Sequence, residues 1–153
     1  MSASASLIVF RLDGQRFALP LVAVERIVRA VEVTPLPGAP PAVMGVIDVG
    51  GVVAPVLCLR WRLRMSPREI GLADQLLIAR MDQRTVALLI DEAQGVIECD
   101  ASTVIDPTRI VPGLEQFQGL AQLDDGLVLI HNLEKFLSLE EAHALDEAMG
   151  RVA

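Results

Sequence analysis

An internal repeat restricts the folds open to this chain more than any other feature of its sequence. Residues 7–13 read LIVFRLD and residues 76–82 read LLIARMD, so the second copy begins 69 positions after the first. The similarity continues in the same order along both copies, and from residue 45 onward the offset is 74 positions. The matching pairs are Ala18 with Ala87, Leu19 with Leu88, Gly45 with Gly119, Val56 with Ile130, Leu59 with Leu133 and Leu63 with Leu137. Two similar structural units are therefore expected, with the extra residues of the second unit between positions 97 and 119.

Each copy contains short runs rich in Val, Ile and Leu, separated by Gly, Pro, Asp or Asn, which is typical of strands joined by turns. The strands predicted in the first copy are Ser6–Leu12, Arg16–Pro20, Val24–Val28, Met44–Val49 and Val52–Leu57. The segment Val31–Pro41 holds four prolines, which lack amide donors, so it is predicted to be a loop or a sheet edge. Five short strands fit a small barrel that closes its own edges. We therefore predict a mostly β fold, with one barrel over residues 7–65 and a second over residues 76–137.

A helix is predicted only at the end of the chain, over residues 138–150. Ser138 precedes the segment LEEAHALDEAM, and Glu141 follows three positions later, which is the capping-box arrangement of a first helical turn. Apolar residues recur at helical spacing and predict a face that packs on the barrels: Leu139, Ala142, Leu145 and Met149. The acidic residues are expected to face water: Glu140, Glu141, Asp146 and Glu147.

The charge and the apolar runs argue against several classes of partner. The net charge is −7, and no basic run with interleaved aromatic residues occurs, so nucleic-acid binding is not expected. Pro, Gly or a charge interrupts every apolar run short of the roughly 18 residues that a membrane-spanning helix needs, so direct membrane insertion is not expected either. The first residues, MSASAS, lack the basic and apolar regions of a signal peptide. A cytoplasmic location is predicted.

The sequence contains no recognisable catalytic or metal-binding motif. Cys58 and Cys99 lie far apart and outside any CxxC or Cys/His cluster, and His131 and His143 lack a partner at ligand or dyad spacing. The patterns GxSxG, HExxH and the phosphate-binding loop do not occur. We predict that the protein uses no metal or cofactor and is not an enzyme. A site assembled from scattered residues stays open as an alternative.

Four segments in a fixed order resemble the CheW-like coupling family of bacterial chemosensory systems. They are FALPLVAVERIV at 17–28, TPLPGAPPAVMGVIDVGGVVAPVLCLRWRL at 34–63, LLID at 88–91 and DGLVLIHNLEKFL at 125–137. The second segment is the most specific, because it combines a proline-rich loop, GVI, paired glycines, PV and a leucine. The resemblance covers residues 7–137. It implies two five-stranded SH3-like barrels side by side, in agreement with the repeat.

The resemblance also implies a function and a set of partners. Such proteins are non-catalytic adaptors that link the cytoplasmic tips of chemoreceptors to the regulatory domain of a CheA-type histidine kinase. A groove near the first barrel accepts the helical hairpin of the receptor, and an apolar groove suits a helix. The residues predicted to bind partners are Arg26, Val28, Gly45, Ile47, Asp48, Gly50 and Gly51. For Val46, Ile47 and Val49 the alternative is ordinary barrel core.

The chain departs from the family pattern at two charged positions. Arg26 stands where the family usually has Glu, and Gly50 stands where its NLRG motif has Arg. These changes suggest either a different partner or a compensating ion pair between Arg26 and Asp48. They also suggest an alternative function, a diverged regulator that binds the kinase or another pathway protein without the receptor. The counterparts of Arg26 and Asp48 in the second copy, Gly95 and Gln122, are uncharged, so recognition is expected to centre on the first barrel and its border with the second.

Overall fold

A computed structural model of the chain describes residues 4–66, 69–81, 84–100, 104–105, 117–123 and 126–150. Within these residues the strands are β1 (Ser4–Leu12), β2 (Gln15–Pro20), β3 (Val24–Arg29), β4 (Val43–Val49), β5 (Val52–Leu57), β6 (Gln75–Met81), β7 (Arg84–Ile90), β8 (Glu92–Asp100), β9 (Val104–Ile105), β10 (Phe117–Leu123) and β11 (Gly126–His131). The helices are α1 (Leu59–Arg62) and α2 (Leu139–Gly150), and 3-10 turns occur at Leu21–Ala23 and Leu133–Lys135. The predicted mostly β fold with a C-terminal helix is confirmed. None of the described helices is long and apolar enough to cross a membrane.

Neither of the two sheets is built from a single copy of the repeat. Sheet A has the strand order β8-β1-β2-β11-β10-β9, and sheet B has the order β3-β6-β7-β5-β4. The first copy therefore contributes β1 and β2 to the sheet that holds β8, β10 and β11 of the second copy. The second copy in turn contributes β6 and β7 to the sheet that holds β3, β4 and β5. The first two strands of each copy therefore belong to the sheet that holds the later strands of the other copy.

This exchange corrects the predicted barrels over residues 7–65 and 76–137. The 3-10 turn Leu21–Ala23 leads the chain from β2 in sheet A to β3 in sheet B. Asp91 makes the reverse crossing, from β7 in sheet B to β8 in sheet A. After each crossing, the next strand pairs with the first strand of the other copy: β3 pairs with β6, and β8 pairs with β1. The two crossings are therefore equivalent. Most of the segment that holds the extra residues of the second copy, between 97 and 119, lies outside the described residues.

The strands carry continuous apolar runs because many of them bury side chains on both faces. Along β1, Leu7 and Val9 belong to a core inside sheet A, whereas Ile8 and Phe10 belong to a central core shared by the two sheets. Successive side chains of a strand point to opposite faces, so a run such as LIVF fills both cores at once. The core of sheet B consists of the buried residues Ile47, Ala54, Val56, Leu76, Ile78, Ala87 and Leu89.

The loop after β3 joins the two edge strands of sheet B. The predicted loop over Val31–Pro41 is confirmed, and Thr34 within it forms an isolated bridge to Val46 of β4. Thr34 N–H donates to the Val46 carbonyl at 3.0 Å, and Val46 N–H donates to the Thr34 carbonyl at 2.8 Å. Gly45 permits this close approach, because a Cβ there would overlap the Thr34 carbonyl oxygen and lie 2.7 Å from Val33 Cγ1.

Arg60 of α1 binds two acidic residues, one in a turn of sheet A and one at the crossing between the sheets. Its side chain is only 5% exposed, and it donates to Asp13 Oδ2 at 2.7 Å and to the two Asp91 carboxylate oxygens at 2.7 and 2.9 Å. Burial opposes the charge of Arg60, but the hydrogen bonds that it donates to Asp91 and Asp13 outweigh this effect and raise the pKa of the guanidinium. Asp13 lies in the β1–β2 turn and Asp91 at the crossing from sheet B to sheet A. The cluster therefore fixes one sheet against the other.

The C-terminal helix has the predicted cap, but its buried face differs from the prediction. Glu141 N–H donates to Ser138 Oγ at 3.1 Å, and Ser138 N–H donates to Glu141 Oε1 at 3.0 Å. Leu145 and Ala148 are buried, whereas Leu139 is 91% exposed because the first turn extends beyond the core. Glu141 was expected to face water, yet Arg62 donates to both its carboxylate oxygens at 2.7 Å. These bonds anchor the first helical turn to the end of α1.

Candidate functional site

The residues predicted to bind partners divide into a surface group and a core group. Arg26, Asp48, Gly50 and Gly51 are exposed, and together they form what we call the hairpin surface. Gly45 and Ile47 are buried, and Val28 is partly buried against the core of sheet B. Ile47 therefore takes the alternative position predicted for it, ordinary barrel core, since its side chain belongs to the core of sheet B. Val46 is likewise buried, in the central core.

The β4–β5 hairpin presents its tip through a two-residue glycine turn. Val49 pairs with Val52, and Gly50 and Gly51 between them have φ values of +59° and +92°. Positive φ at both central residues matches the type I′ turn that suits the twist of a hairpin, and glycine adopts it without steric strain. Asp48 Oδ1 accepts the Gly51 N–H at 2.7 Å, so its carboxylate is engaged inside the turn. Asp48 is thus a turn-stabilising residue of the hairpin surface.

Arg26 reaches this hairpin from the opposite edge strand of sheet B. It pairs with Ile78 across β6, and its Nη2 lies 3.6 Å from the position that a Cβ on Gly50 would occupy. Arg26 and Asp48 are both described, and no ion pair joins them within 4.0 Å. The hypothesis of a compensating Arg26–Asp48 pair is therefore wrong, because the Asp48 carboxylate turns inward to the Gly51 amide. The neighbouring Glu25 carboxylate lies 4.0 Å from Arg80 Nη1.

A groove of about 760 Å³ begins beside the hairpin and ends at the C-terminal helix. We call it the hairpin groove. Its walls come from three parts of the chain: Val52 and Val53 of β5; Arg80, Met81, Arg84 and Thr85 at the β6–β7 turn; and Glu134, Leu137, Ser138, Leu139, Ala142, Leu145 and Asp146 at the C-terminal end. Val52 and Val53 are 52% and 42% exposed, and Leu139 is 91% exposed. The groove therefore offers apolar contacts on two sides.

Charged residues of both signs line the hairpin groove. Arg84 forms an ion pair with Asp146 of α2 across the groove. Arg80 lies on the same side as Arg84 and faces Glu25 of β3. Sequence reasoning did not identify the groove residues outside the hairpin, because residues 80–85 and α2 come together only through the strand exchange. The segment VVAP at 52–55 contains no polar residue, so its pattern does not indicate which side chains stay exposed.

The two histidines of the chain are not among the residues that line the hairpin groove. Within the described residues, no group of three or more His, Cys, Asp or Glu side chains is placed to hold a metal ion. His131 is fully buried at the end of β11, its ring 5.8 Å from that of Phe136. Burial, followed by the nearby charge of Arg62, lowers the pKa of His131 to about 4. His143 lies on the exposed face of α2, so the two histidines are far from forming one site.

The equivalent positions in sheet A lack the charges of the hairpin surface. Gly95 on β8 and Gln122 on β10 correspond to Arg26 and Asp48 through the repeat, and Gln122 is exposed. Gly119 corresponds to Gly45, and a Cβ on it would overlap the side chain of Val104. The close backbone approach is therefore present in both sheets, whereas the charged residues belong to sheet B. That recognition centres on the first barrel and its border with the second stays a prediction.

Comparison with known proteins gives a consistent result. The model of the CheW-like domain family matches residues 6–141. The chain is 30% identical over 141 residues to a probable chemotaxis protein CheW from Rhizobium etli, with 90% of each chain covered. It is 34% identical over 98 residues to the chemotaxis protein CheW of Bacillus subtilis, covering 64% of this chain and 63% of that one. The crystal structure of the scaffolding protein TtCheW from Thermoanaerobacter tengcongensis superposes with a TM-score of 0.81 at 22% identity, over 92% of both chains.

Proposed function

This chain belongs to the CheW-like domain family, and we propose that it is a non-catalytic adaptor that couples chemoreceptors to a CheA-type histidine kinase. The chemotaxis role follows from relatives named chemotaxis protein CheW, with which this chain aligns over most of their length. The adaptor role is supported by a similar structure that is described as a scaffolding protein. From partners of this kind we infer a cytoplasmic location.

The observation that carries this proposal is the hairpin groove. An amphipathic helix binds through apolar side chains at positions i, i+3, i+4 and i+7, and it needs exposed apolar residues on both sides of a groove. Val52 and Val53 supply one side, and Leu139 supplies the other. We therefore propose that the receptor's helical hairpin lies in this groove beside the hairpin surface. Arg80 and Arg84 then contact polar residues at the edges of the bound helix.

An adaptor needs a second face that is free while the first is occupied. Among its described side chains, sheet A exposes the large apolar residues Val96, Ile105 and Leu127 away from the hairpin groove. Exposed apolar residues of this kind are typical of contacts between protein surfaces. We propose that the regulatory domain of the kinase, itself similar to this fold, binds to sheet A. The two partners then occupy different sheets.

The alternative function, a regulator that retains the kinase and has lost the receptor, is favoured by one observation. The hairpin tip at Gly50 lacks the arginine that the family resemblance implies there, and Arg26 reverses the implied charge on β3. Under this alternative the hairpin groove is empty in the cell or holds another pathway protein. Gly50→Arg discriminates between the two functions, because it gains receptor affinity only if the groove accepts a receptor.

The direct test is titration calorimetry of the full chain with two probes from the same genome, a receptor signalling-tip fragment and the kinase regulatory domain. The adaptor function predicts that both bind. Val53→Glu and Leu139→Glu should abolish receptor binding and leave kinase binding unchanged, because they place a charge inside the apolar groove. Leu72→Glu is the matched control, since Leu72 is 98% exposed and lies outside the groove. Binding of neither probe would refute the proposed function, and binding of the kinase domain alone would support the alternative.

A further inference from the structure

The guanidinium of Arg26 lies at the hairpin tip without an acidic partner among the described residues. Asp48, the nearest acidic residue of the hairpin, is engaged by the Gly51 amide, and Glu25 faces Arg80. The guanidinium presents several N–H donors in one plane, a geometry that matches a carboxylate. An arginine that is exposed and has no acceptor of its own is available to a partner.

The guanidinium of Arg26 lies close to the backbone of Gly50. Arg26 and Val28 point to the same face of β3, and Val28 packs on the core of sheet B. The stem of Arg26 therefore leaves the end of that core, and its Nη2 lies 3.6 Å from the Cβ position of Gly50. Gly50 has no side chain to cover the guanidinium at this point. Val52, two residues further along the hairpin, lines the hairpin groove.

We propose that Arg26 determines partner specificity by binding a carboxylate, an Asp or Glu side chain on the helical segment that occupies the hairpin groove. This inference rests on the proposed function and adds the chemistry of the partner. The chain has a net charge of −7, so long-range electrostatics repel an acidic partner. Recognition of a carboxylate therefore depends on a short-range contact. Arg26 can make that contact, because its guanidinium lies at the tip of the β4–β5 hairpin.

The test compares charge reversal at two arginines of β3 with the receptor signalling-tip fragment as the probe. Arg26→Glu should weaken binding by about tenfold or more, because it replaces a donor with a repelling carboxylate. Arg29→Glu makes the same change in net charge on the same strand, but Arg29 pairs with Gln75 at the far end, so binding should change by less than about twofold. Arg26→Lys should give an intermediate loss, because an ammonium cannot form the two parallel bonds of a guanidinium.

Charge reversal of single Asp or Glu residues on the probe identifies the carboxylate. One Glu→Lys or Asp→Lys variant of the fragment should bind the Arg26→Glu protein at least about tenfold better than the original fragment does. Binding of the kinase regulatory domain by every variant confirms that the fold is intact. Equal losses for Arg26→Glu and Arg29→Glu, or no loss for either, would overturn the inference while leaving the proposed function standing. If the unmodified protein binds the kinase domain but not the receptor fragment, both the receptor contact and this inference fail.

Discussion

His131 is expected to make the protein less stable as the pH falls from 7 to 5. The residue is fully buried at the end of β11, and its folded-state pKa is lowered from the ordinary value of 6.5 to about 4. Between these two values the unfolded chain binds a proton that the folded chain excludes. The stabilising contribution is therefore complete above pH 6.5 and is lost as the pH falls towards 4.

The size of the effect follows from the two pKa values. With those values, proton linkage predicts that the free energy of unfolding is about 2 kcal/mol lower at pH 5 than at pH 7. Carboxylates contribute little in this range, because they titrate at lower pH. Burial opposes the charge of Glu141, but the Ser138 amide and Arg62 outweigh it and lower the pKa of this carboxyl. Its stabilising contribution is therefore present above the unfolded-state pKa and is lost as the pH falls through the lowered folded-state pKa.

The assay is urea unfolding at several pH values between 5 and 7, monitored through the fluorescence of Trp61, the single tryptophan of the chain. His131→Leu should remove most of the pH dependence, whatever its absolute stability, because leucine has no proton to bind. His143→Gln should retain it, since the side chain of His143 is 76% exposed. A His131→Leu variant with the pH dependence of the unmodified protein, or an NMR titration that places His131 near pH 6.5, would refute the reasoning.

Three further perturbations test the fold. Arg60→Met should lower the free energy of unfolding by about 2 kcal/mol, because it leaves the Asp91 and Asp13 carboxylates without their shared donor. Urea titration measures this loss, and a loss below about 0.5 kcal/mol would contradict the role of Arg60. Gly45→Ala should destabilise by at least about 3 kcal/mol, because its Cβ overlaps the Thr34 carbonyl, whereas Gly51→Ala has open space and should lose only about 1 kcal/mol through its positive φ. The fragment 1–65 should give the poorly dispersed NMR spectrum of an unfolded chain, because its strands belong to two sheets, and a well-dispersed spectrum would mean that this copy forms a barrel alone.

Local features of the fold could be predicted from the sequence because local chemistry determines them. The apolar runs gave the strands of the first copy to within two residues at each end, and Ser138 with Glu141 gave the start of α2. The four prolines excluded a central strand from Val31–Pro41. In each of these cases the physical cause, a backbone donor, a fixed φ or a side-chain alternation, lies within a few residues of its effect.

The strand exchange could not be predicted, because both pairing schemes use the same strands. A strand such as β1 presents the same apolar faces to a partner from either copy, and only the direction of the crossing at Leu21–Ala23 selects one. The repeat shows which strands are equivalent, and it does not show which strands pair. Leu139 is a smaller example, since helical spacing indicates the apolar face of α2 but not where the core ends.

The candidate site was predicted in part. Paired glycines gave the hairpin, and the comparison of the two copies drew attention to Arg26 and Asp48. The supposed ion pair between them was wrong, because the choice of the Asp48 carboxylate between Arg26 and the Gly51 amide depends on turn geometry. The walls of the hairpin groove come from three separate segments between Val52 and Asp146, and only the assembled sheets bring Val53 to Leu139.

The central claim is that this protein binds a receptor and a kinase at the same time through two different faces. The most direct measurement is sedimentation velocity on a mixture of the protein, the receptor signalling-tip fragment and the kinase regulatory domain. We expect one species that contains all three components, and loss of only the receptor fragment when Val53→Glu replaces the unmodified protein. Two binary complexes that exclude each other, or the absence of any complex, would contradict the claim.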